Sequence, residues 1–268
     1  MDGKGDAAME YRHVTTTREG RVLTIGLNRP PVNALNRAFG RELHAAFTEA
    51  SRMEGVSVVV IASLSDRAFI AGADIQEMAG MSRKESGEFS TLLQEANSLL
   101  AEMRKVVIAA IRGHALGGGC ELALACDYRF MAAGTGRIGL PEATLGILPG
   151  AGGTQRLPRL VGLSRAMDIL LRGRSFPPEE ALAIGLVDRV LAPETFREEV
   201  TAFANELAAG AGLAMGRIKA AVREGMELPL AQALEVERKY GLENLGSHDA
   251  KEGLAAFAEK RKPRFTGS

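Results

Sequence analysis

The sequence predicts an α/β fold, and two observations support this. In the first two-thirds of the chain, short apolar segments rich in β-branched residues alternate with segments of helical periodicity. Such alternation is typical of strands and helices packed around a core sheet. From about residue 195 the sequence is rich in Ala, Glu and Leu at helical spacing. We therefore expect a core domain over residues 1–195 and a C-terminal helical subdomain over residues 196–268.

Three apolar segments have the composition of buried strands: VLTIGL (22–27), VSVVVIASL (56–64) and VVIAAIRGHAL (106–116). Continuous runs of β-branched residues are typical of strands that are covered on both faces. Two shorter segments, YRFMAA (128–133) and RIGL (137–140), have the same character. We expect all five to contribute strands to the core.

Helical spacing of apolar residues predicts a helix over 37–53, with Asn36 as its N-cap, and another within 82–105. These two segments lie between the predicted strands, where an α/β fold places its connecting helices.

Two more helices are predicted ahead of the C-terminal region. In 163–173 the expected cap is Ser164 and the expected end is Gly173. In 176–188, prolines and glutamates mark a helix start and Gly185 its end.

Composition excludes several functional classes. The 268 residues contain 33 Lys and Arg and 33 Asp and Glu, so the net charge is zero, and we expect neither nucleic acid nor an anionic membrane as a partner. No apolar run approaches the ~18 residues of a membrane span. The N-terminal segment 1–14 contains acids and lacks an apolar stretch, so it does not resemble a secretory signal, and we expect a cytoplasmic protein.

The two cysteines, Cys120 and Cys126, lack metal-ligand spacing and have no His-rich companion segment. We therefore expect two small buried side chains, with no disulfide and no metal site.

Three segments offer backbone or carboxylate groups to a ligand: AFIAGADI (68–75), HALGGGCEL (114–122) and LPEATLGILPGAGGTQRLPRL (140–160). In the first, Asp74 is expected to be an N-cap or turn former, while the small residues leave the Ala73 N–H open to a ligand oxygen. Consecutive glycines before a helix offer free N–H groups at the positive end of its dipole. Taken alone, such glycines are weak evidence of function and are better explained by a tight connection between strand and helix.

Phosphate-binding loops are excluded by their spacing. The GAGGTQ stretch lacks the lysine of a nucleoside-triphosphate loop, and no GxGxxG follows a predicted strand with a later acid.

Two carboxylates, Glu121 and Glu142, lie in apolar stretches beside glycine-rich backbone. Each alone is explained as an acid in the first turn of a helix, where a negative charge is favoured. Together they suggest catalysis, because two buried carboxylates that share a site cannot both ionise easily, so one acts as acid and the other as base. Two N–H donors beside such a pair would add an oxyanion site.

These segments, in this order, resemble the crotonase superfamily, and specifically its enoyl-CoA hydratases. The likeness covers the chain from about residue 20 to 265 and includes both glutamates and the long GAGGTQRL block. The segments that carry it are 28–36, 68–75, 113–127, 139–162, 185–190 and 251–265.

The resemblance implies a spiral fold of stacked ββα turns with a C-terminal helical trimerisation region, and a homohexamer built as a dimer of trimers. It assigns the oxyanion-hole amides to Ala73 and Gly118 and the catalytic carboxylates to Glu121 and Glu142. It further implies substrate contacts at Ala71, Gly72, Asp74, Ile75, Gly117, Pro141, Gly150, Phe257 and Lys260, the last two reaching the coenzyme A of a neighbouring subunit.

The implied reaction is reversible syn addition of water to a trans-2-enoyl-CoA, which gives a 3-hydroxyacyl-CoA. Coenzyme A enters as part of the substrate, and we expect no further cofactor. Two alternatives come from the same superfamily: an enoyl-CoA isomerase, which needs only one carboxylate, and an RNA-binding member, which would need a basic face. A catalytically silent trimer is disfavoured by the presence of both glutamates.

Overall fold

Ten strands form two sheets in the computed structural model, which describes residues 11–268. In the larger sheet all neighbours are parallel except the first pair. Its strands, in spatial order, are Val14–Glu19 (β1), Val22–Leu27 (β2), Val58–Ser63 (β3), Val106–Ile111 (β5), Tyr128–Ala132 (β7) and Arg189–Leu191 (β10). Residues 1–10 of the N-terminal segment, which the sequence predicts not to be a secretory signal, lie outside the described residues.

A smaller sheet contains three parallel neighbours and one antiparallel edge strand. In spatial order these are Ala68–Ala71 (β4), His114–Leu116 (β6), Ile138–Gly139 (β8) and Ser175–Phe176 (β9).

Successive turns of the chain place one strand in the larger sheet, the next in the smaller sheet, and then a helix. β3 and β4 are followed by Ile75–Ala79 (α2) and Arg83–Glu102 (α3), and β5 and β6 by Gly118–Ala125 (α4). β7 and β8 are followed by a 3₁₀ helix, Glu142–Leu145, and then by Gly153–Val161 (α5). The predicted α/β class and the spiral of ββα turns are confirmed.

The segment 106–116, expected to be one strand, is two strands in different sheets. The chain turns at Gly113, whose φ is +75°, and a Cβ there would lie 2.3 Å from the carbonyl oxygen of Arg67. A residue with a side chain would fit neither the dihedral nor the space. This turn carries the chain from β5 in the larger sheet to β6 in the smaller one.

The first predicted helix has its predicted cap, and the second has a cap that was not predicted. Arg37–Arg52 (α1) begins after Asn36, whose side chain accepts a 2.9 Å hydrogen bond from the Phe39 N–H. α3 begins after Ser82, which forms a reciprocal capping box with Glu85.

One predicted cap is wrong. Leu163–Arg172 (α6) begins after Gly162, so Ser164 lies inside the first turn and caps nothing. The predicted end at Gly173 is confirmed, with φ at +60°. Pro178–Ala183 (α7) has the expected proline at its start, and Gly185 follows its end with φ at +76°.

The C-terminal region is helical, as predicted: Phe196–Ala209 (α8), Gly212–Gly225 (α9), Leu230–Leu245 (α10) and His248–Ala258 (α11). The apolar side of α8 packs against one face of the larger sheet. The buried Lys219 of α9 donates to the Asp127 carboxylate at 2.7 Å and to the carbonyl of Leu100 at 2.9 Å. These contacts attach the first two C-terminal helices to the core, and the domain boundary at residue 195 stays a prediction.

The other face of the larger sheet packs against α1, α3 and α4 and forms the main apolar core. Cys120 and Cys126 are buried there as free thiols, as the sequence predicts. Throughout residues 11–268, every helix is too short or too polar to span a bilayer.

Candidate active site

The three parallel strands of the smaller sheet end side by side, and each is followed within three residues by a predicted functional group. Ala73 follows β4, Gly118 follows β6, and Glu142 follows β8. Since the carboxyl ends of parallel neighbours lie at one edge of a sheet, these groups come together there, where α/β folds commonly bind ligands.

The Ala73 amide is left free by the way its segment pairs with the chain before α1. The Leu35 N–H donates to the Gly72 carbonyl at 2.8 Å, and the Asp74 N–H donates to the Leu35 carbonyl at 2.7 Å. In this parallel bridge the polar groups of Ala73 itself point away from Leu35. No acceptor for the Ala73 N–H is present among residues 11–268.

The Gly118 amide also lacks an acceptor in the described part of the chain, for a different reason. Gly118 is the first residue of α4, so its N–H has no carbonyl one helical turn earlier. The N–H of the preceding residue, Gly117, whose φ is +53°, donates to the Gly139 carbonyl of β8 at 3.0 Å. A Cβ on Gly117 would lie 3.6 Å from Gly72 Cα, so the loops carrying the two free amides are in contact.

The glycines at the start of α4 are required by close packing. A Cβ on Gly118 would lie 2.5 Å from Cδ1 of Leu35, and one on Gly119 would lie 2.2 Å from the carbonyl oxygen of Ile70. Both distances are far below van der Waals contact, so the glycines let the helix start approach β4 closely.

Glu121 lies in the first turn of α4 and is 3 % exposed. Its Oε1 accepts hydrogen bonds from the N–H groups of Ala151 at 2.7 Å and Gly153 at 2.8 Å. Burial raises the pKa of Glu121, while the two amide donors and the Arg156 guanidinium lower it. The carboxylate therefore has the partners that a buried charge requires, supplied by the start of α5.

Glu142 is the first residue of the 3₁₀ helix, with Pro141 before it, and is also buried. Burial and, to a smaller extent, the negative charge of the nearby Glu121 raise the pKa of Glu142 to about 7. A hydrogen bond from the backbone N–H of Glu142 itself lowers this pKa in part. Glu142 Oε2 is buried and has no hydrogen-bond partner within residues 11–268. A carboxyl group in this setting holds a proton near neutral pH and can give it to a bound molecule.

Together these groups form two free N–H donors beside two carboxyl groups of different character. A Cβ on Gly117 would lie 2.9 Å from Glu142 Oε1, which places this carboxyl group against the backbone next to the Gly118 amide. Glu121 is fixed by two amides, whereas Glu142 keeps an oxygen unpaired. Such a site can stabilise a developing oxyanion and move protons beside it.

The structure assigns other interactions to Asp74 and Ile75. The Asp74 side chain caps α2 at the Glu77 N–H, as the sequence predicts, and forms a 2.8 Å ion pair with Arg29. Ile75 is the first residue of α2 and is 54 % exposed beside the free Ala73 amide. The remaining predicted contacts on the strand ends and nearby loops are Ala71, Gly72, Gly117, Pro141 and Gly150.

Phe257 and Lys260 lie away from this cluster, on and just after α11. Phe257 is 87 % exposed and Lys260 is exposed with φ at +57°. Within one chain they project from the surface of the C-terminal helices.

The partners of Glu121 are functional groups that the sequence analysis did not identify. The amide donors at Ala151 and Gly153 lie 30 and 32 residues away along the chain. A signal was present, since a glycine-rich helix start offers unpaired N–H groups and a buried carboxylate needs them. The sequence does not show that the glycine-rich start of α5 is the segment that meets the Glu121 carboxylate.

Similarity to known proteins identifies the family of this chain. A family model described as enoyl-CoA hydratase/isomerase matches residues 17–268. The chain belongs to this family. Among curated members of the enoyl-CoA hydratase/isomerase family, the crotonyl-CoA hydratase of Syntrophomonas wolfei is 41 % identical over 96 % of this chain and 99 % of its own length. The short-chain-enoyl-CoA hydratase of Clostridium acetobutylicum is 38 % identical over 95 % and 97 %.

Solved structures of the enoyl-CoA hydratase/isomerase family have the same fold. An enoyl-CoA hydratase from Geobacillus kaustophilus superposes with a TM-score of 0.94 at 39 % identity, covering 97 % of this chain and 98 % of that one. The enoyl-CoA hydratase of Bacillus anthracis gives a TM-score of 0.92 at 36 % identity, covering 96 % and 100 %.

Proposed function

We propose that the protein is an enoyl-CoA hydratase, which adds water reversibly to a trans-2-enoyl-CoA with syn geometry and forms a 3-hydroxyacyl-CoA. The observation that carries this proposal is the pair Glu121 and Glu142 beside the free amides of Ala73 and Gly118. The names of its relatives, crotonyl-CoA hydratase and short-chain-enoyl-CoA hydratase, support the substrate class.

The two free amides bind the thioester carbonyl oxygen in this proposal. When water attacks the β-carbon, negative charge moves to that oxygen and an enolate-like state develops. Donors fixed in advance at the site of developing charge each contribute on the order of 3–4 kcal/mol to lowering the barrier. The amides of Ala73 and Gly118 are held by backbone pairing and need no rearrangement to act in this way.

The carboxyl pair handles the protons. Glu142, with its raised pKa, gives a proton to the α-carbon, while Glu121, held by two amides, orients the water and takes a proton from it as the C–O bond forms. The pair starts and ends each turnover with one proton in total, and exchange between its members restores the starting form.

The presence of two buried carboxyl groups favours hydration over isomerisation. Moving a double bond requires one group that removes a proton and returns it, so a second carboxyl in the same site would have no task. Glu121 is buried and held by two amides, which indicates a built site rather than a solvated acid at a helix start.

The decisive experiment measures the loss of the conjugated enoyl-thioester absorbance with crotonyl-CoA as substrate. Identification of the product as 3-hydroxybutyryl-CoA would establish hydration, whereas conversion of a 3-enoyl-CoA without hydration would establish the isomerase. Free crotonic acid serves as the control, because the acid lacks the thioester carbonyl to which the amides are directed. Equal turnover of the acid and its thioester would contradict the proposal.

The pH dependence of kcat/KM follows from the single proton that Glu121 and Glu142 share. Glu142, with a pKa of about 7, keeps that proton below neutrality and loses it above, so kcat/KM should fall about tenfold per pH unit on the alkaline side of about pH 7. Arg156 and Cys120 are the other titratable groups near the pair, and burial keeps the Cys120 thiol protonated by raising its pKa.

Hydration takes up and releases no net proton, so its equilibrium constant does not depend on pH. The kcat/KM values of the forward and reverse reactions must therefore depend on pH in the same way. Rates in both directions from about pH 5 to about pH 9 test this prediction. The alkaline limb should vanish from the residual activity of Glu142→Gln. A wild-type kcat/KM that stays constant up to pH 9 would assign the shared proton elsewhere.

We also propose a cytoplasmic homohexamer built from two trimers, in which Phe257 and Lys260 contact the coenzyme A bound by a neighbouring subunit. Support comes from apolar side chains left exposed on a single chain, since large exposed apolar patches mark association surfaces. They lie on or directly after α9–α11 and on α6: Ile218, Val222, Met226, Leu230, Leu242, Leu245, Leu254 and Phe257, with Leu163, Met167 and Leu171. The free buried thiols fit a reducing compartment.

Light scattering should give a mass six times that of the 28.5 kDa chain. Charged substitutions at Leu230 and Leu242, which are 75 % and 65 % exposed in one chain, should reduce this mass and with it the activity. Leu64, which directly follows β3 and is 55 % exposed, lies outside these helices, and its substitution by Lys is the matched control. A stable monomer with full activity would rule out the hexamer.

A further inference from the structure

Three polar side chains on one face of α3 contact the loop that holds Glu121. Ser90 Oγ and Gln94 Nε2 both donate to the carbonyl oxygen of Gly150, at 2.6 Å and 2.7 Å. Asn97 Nδ2 donates to the carbonyl oxygen of Ala151 at 2.9 Å. Positions 90, 94 and 97 lie one above the other on a helix, so they form a continuous row facing residues 150–151.

The Gly150 carbonyl and the Ala151 N–H belong to one planar peptide group. In the trans form its oxygen and its hydrogen point in opposite directions. The oxygen accepts from Ser90 and Gln94 on α3, and the hydrogen is donated to Glu121 Oε1 at 2.7 Å. One rigid unit thus joins the α3 side chains to the candidate catalytic carboxylate.

We infer that Ser90 and Gln94 are positioning residues for Glu121, acting through the Gly150–Ala151 peptide group. Two donors on its carbonyl fix the rotation of the peptide plane and so aim the Ala151 N–H at the carboxylate. Hydrogen bonds in such a chain also polarise one another, which strengthens the bond to Glu121. This inference rests on the proposed role of Glu121 in hydration.

Ser90 and Gln94 have no packing role in the core that would compete with positioning the peptide group. Gln94 is exposed and Ser90 is half-buried, so neither side chain is part of the apolar core. Their hydrogen bonds span 60 and 56 residues of sequence and tie α3 to the loop before α5. Asn97, which is 4 % exposed, fixes the next carbonyl and limits movement of the loop as a whole.

The test is the double variant Ser90→Ala/Gln94→Ala, assayed with crotonyl-CoA. We expect kcat to fall about tenfold with KM changed less than about twofold, since the lost positioning concerns the proton-transfer group and leaves the thioester contacts intact. The matched control is Thr91→Ala/Glu95→Ala, one position along the same helix, where both side chains are exposed. The control should retain wild-type kcat and the same thermal midpoint as the test variant within a few degrees. Ser90→Thr, which keeps the hydroxyl donor, should retain most of the activity.

A second measurement separates positioning from general loss of structure. In a Glu121→Gln background the double variant should lower the residual kcat by less than about twofold, because the group through which Ser90 and Gln94 act is already lost. A tenfold loss in that background, or a kcat equal to that of the control in the wild-type background, would overturn the inference. Full activity of Glu121→Gln alone would instead refute the proposed mechanism.

Discussion

Replacing Glu142 by Gln should lower kcat for hydration of crotonyl-CoA by about 10² to 10⁴-fold, the range that a general acid contributes. Glutamine preserves the size of the side chain and its hydrogen bonding but has no proton to give. Replacing Glu121 by Gln should have an effect of the same order, because the amide can still accept from Ala151 and Gly153 but cannot take a proton from water.

The double variant should lose far less than the product of the two single losses, since both groups serve the same proton-transfer reaction. Glu179, an exposed acid in the first turn of α7, provides the control for an ordinary helix-start carboxylate, and Glu179→Gln should keep full activity. Binding of the saturated analogue butyryl-CoA should survive in every variant, because the Ala73 and Gly118 amides are unchanged. If Glu142→Gln hydrated crotonyl-CoA at nearly the wild-type rate, Glu142 would have no role beyond its helix start.

Gly117→Ala should reduce kcat by about 10²-fold through displacement of the neighbouring groups. The added Cβ would lie 2.9 Å from Glu142 Oε1 and 3.6 Å from Gly72 Cα, so the carboxyl group has to move away from the Gly118 amide. Steady-state kinetics with crotonyl-CoA measure the effect on kcat and KM.

The positive φ of Gly117 adds a conformational cost that is unrelated to catalysis, and Gly134→Ala controls for it. Gly134 has φ at +63°, and nothing lies within 4 Å of where its Cβ would be. Both substitutions should destabilise the fold by about 1 kcal/mol, whereas only Gly117→Ala should lose activity. Equal activity of the two variants would mean that the space beside Gly117 does not matter for the reaction.

Local signals in the sequence predicted most of the secondary structure, because they depend on a few adjacent residues. The side chain of Asn36 and the φ of Gly173 act within one helical turn, and the caps they predict are found. The prediction of Ser164 as the cap is wrong because Gly162, two residues earlier and with φ at +84°, already turns the chain into the helix. Strand β1 was not predicted, since only Val14 of its six residues is buried and its threonines face outward at the sheet edge.

Long-range arrangement could not be derived from local pattern. The stretch 106–116 is apolar except near its turn, and nothing in it shows that its two ends belong to different sheets. Likewise, the sequence pointed to Glu121 and Glu142 as unusual, but the amides that hold Glu121 lie 30 and 32 residues after it. The α3 side chains behind these amides lie 60 and 56 residues before the carbonyl that they bind. Their identity depends on packing that the spiral fold creates.

The order of strands in the smaller sheet has a consequence for how this protein could change over evolution. β4, β6 and β8 are held beside one another by backbone hydrogen bonds, at a separation of about 4.8 Å that does not depend on side chains. The two amides that would stabilise an enolate are likewise backbone groups, whereas the proton chemistry resides in side chains at positions 121 and 142. Under the proposed mechanism, substitution at either position would change the proton transfer and leave the amides that bind the thioester in place. If the proposed roles hold, the binding of an acyl-CoA and the reaction performed on it can therefore change independently of each other during evolution.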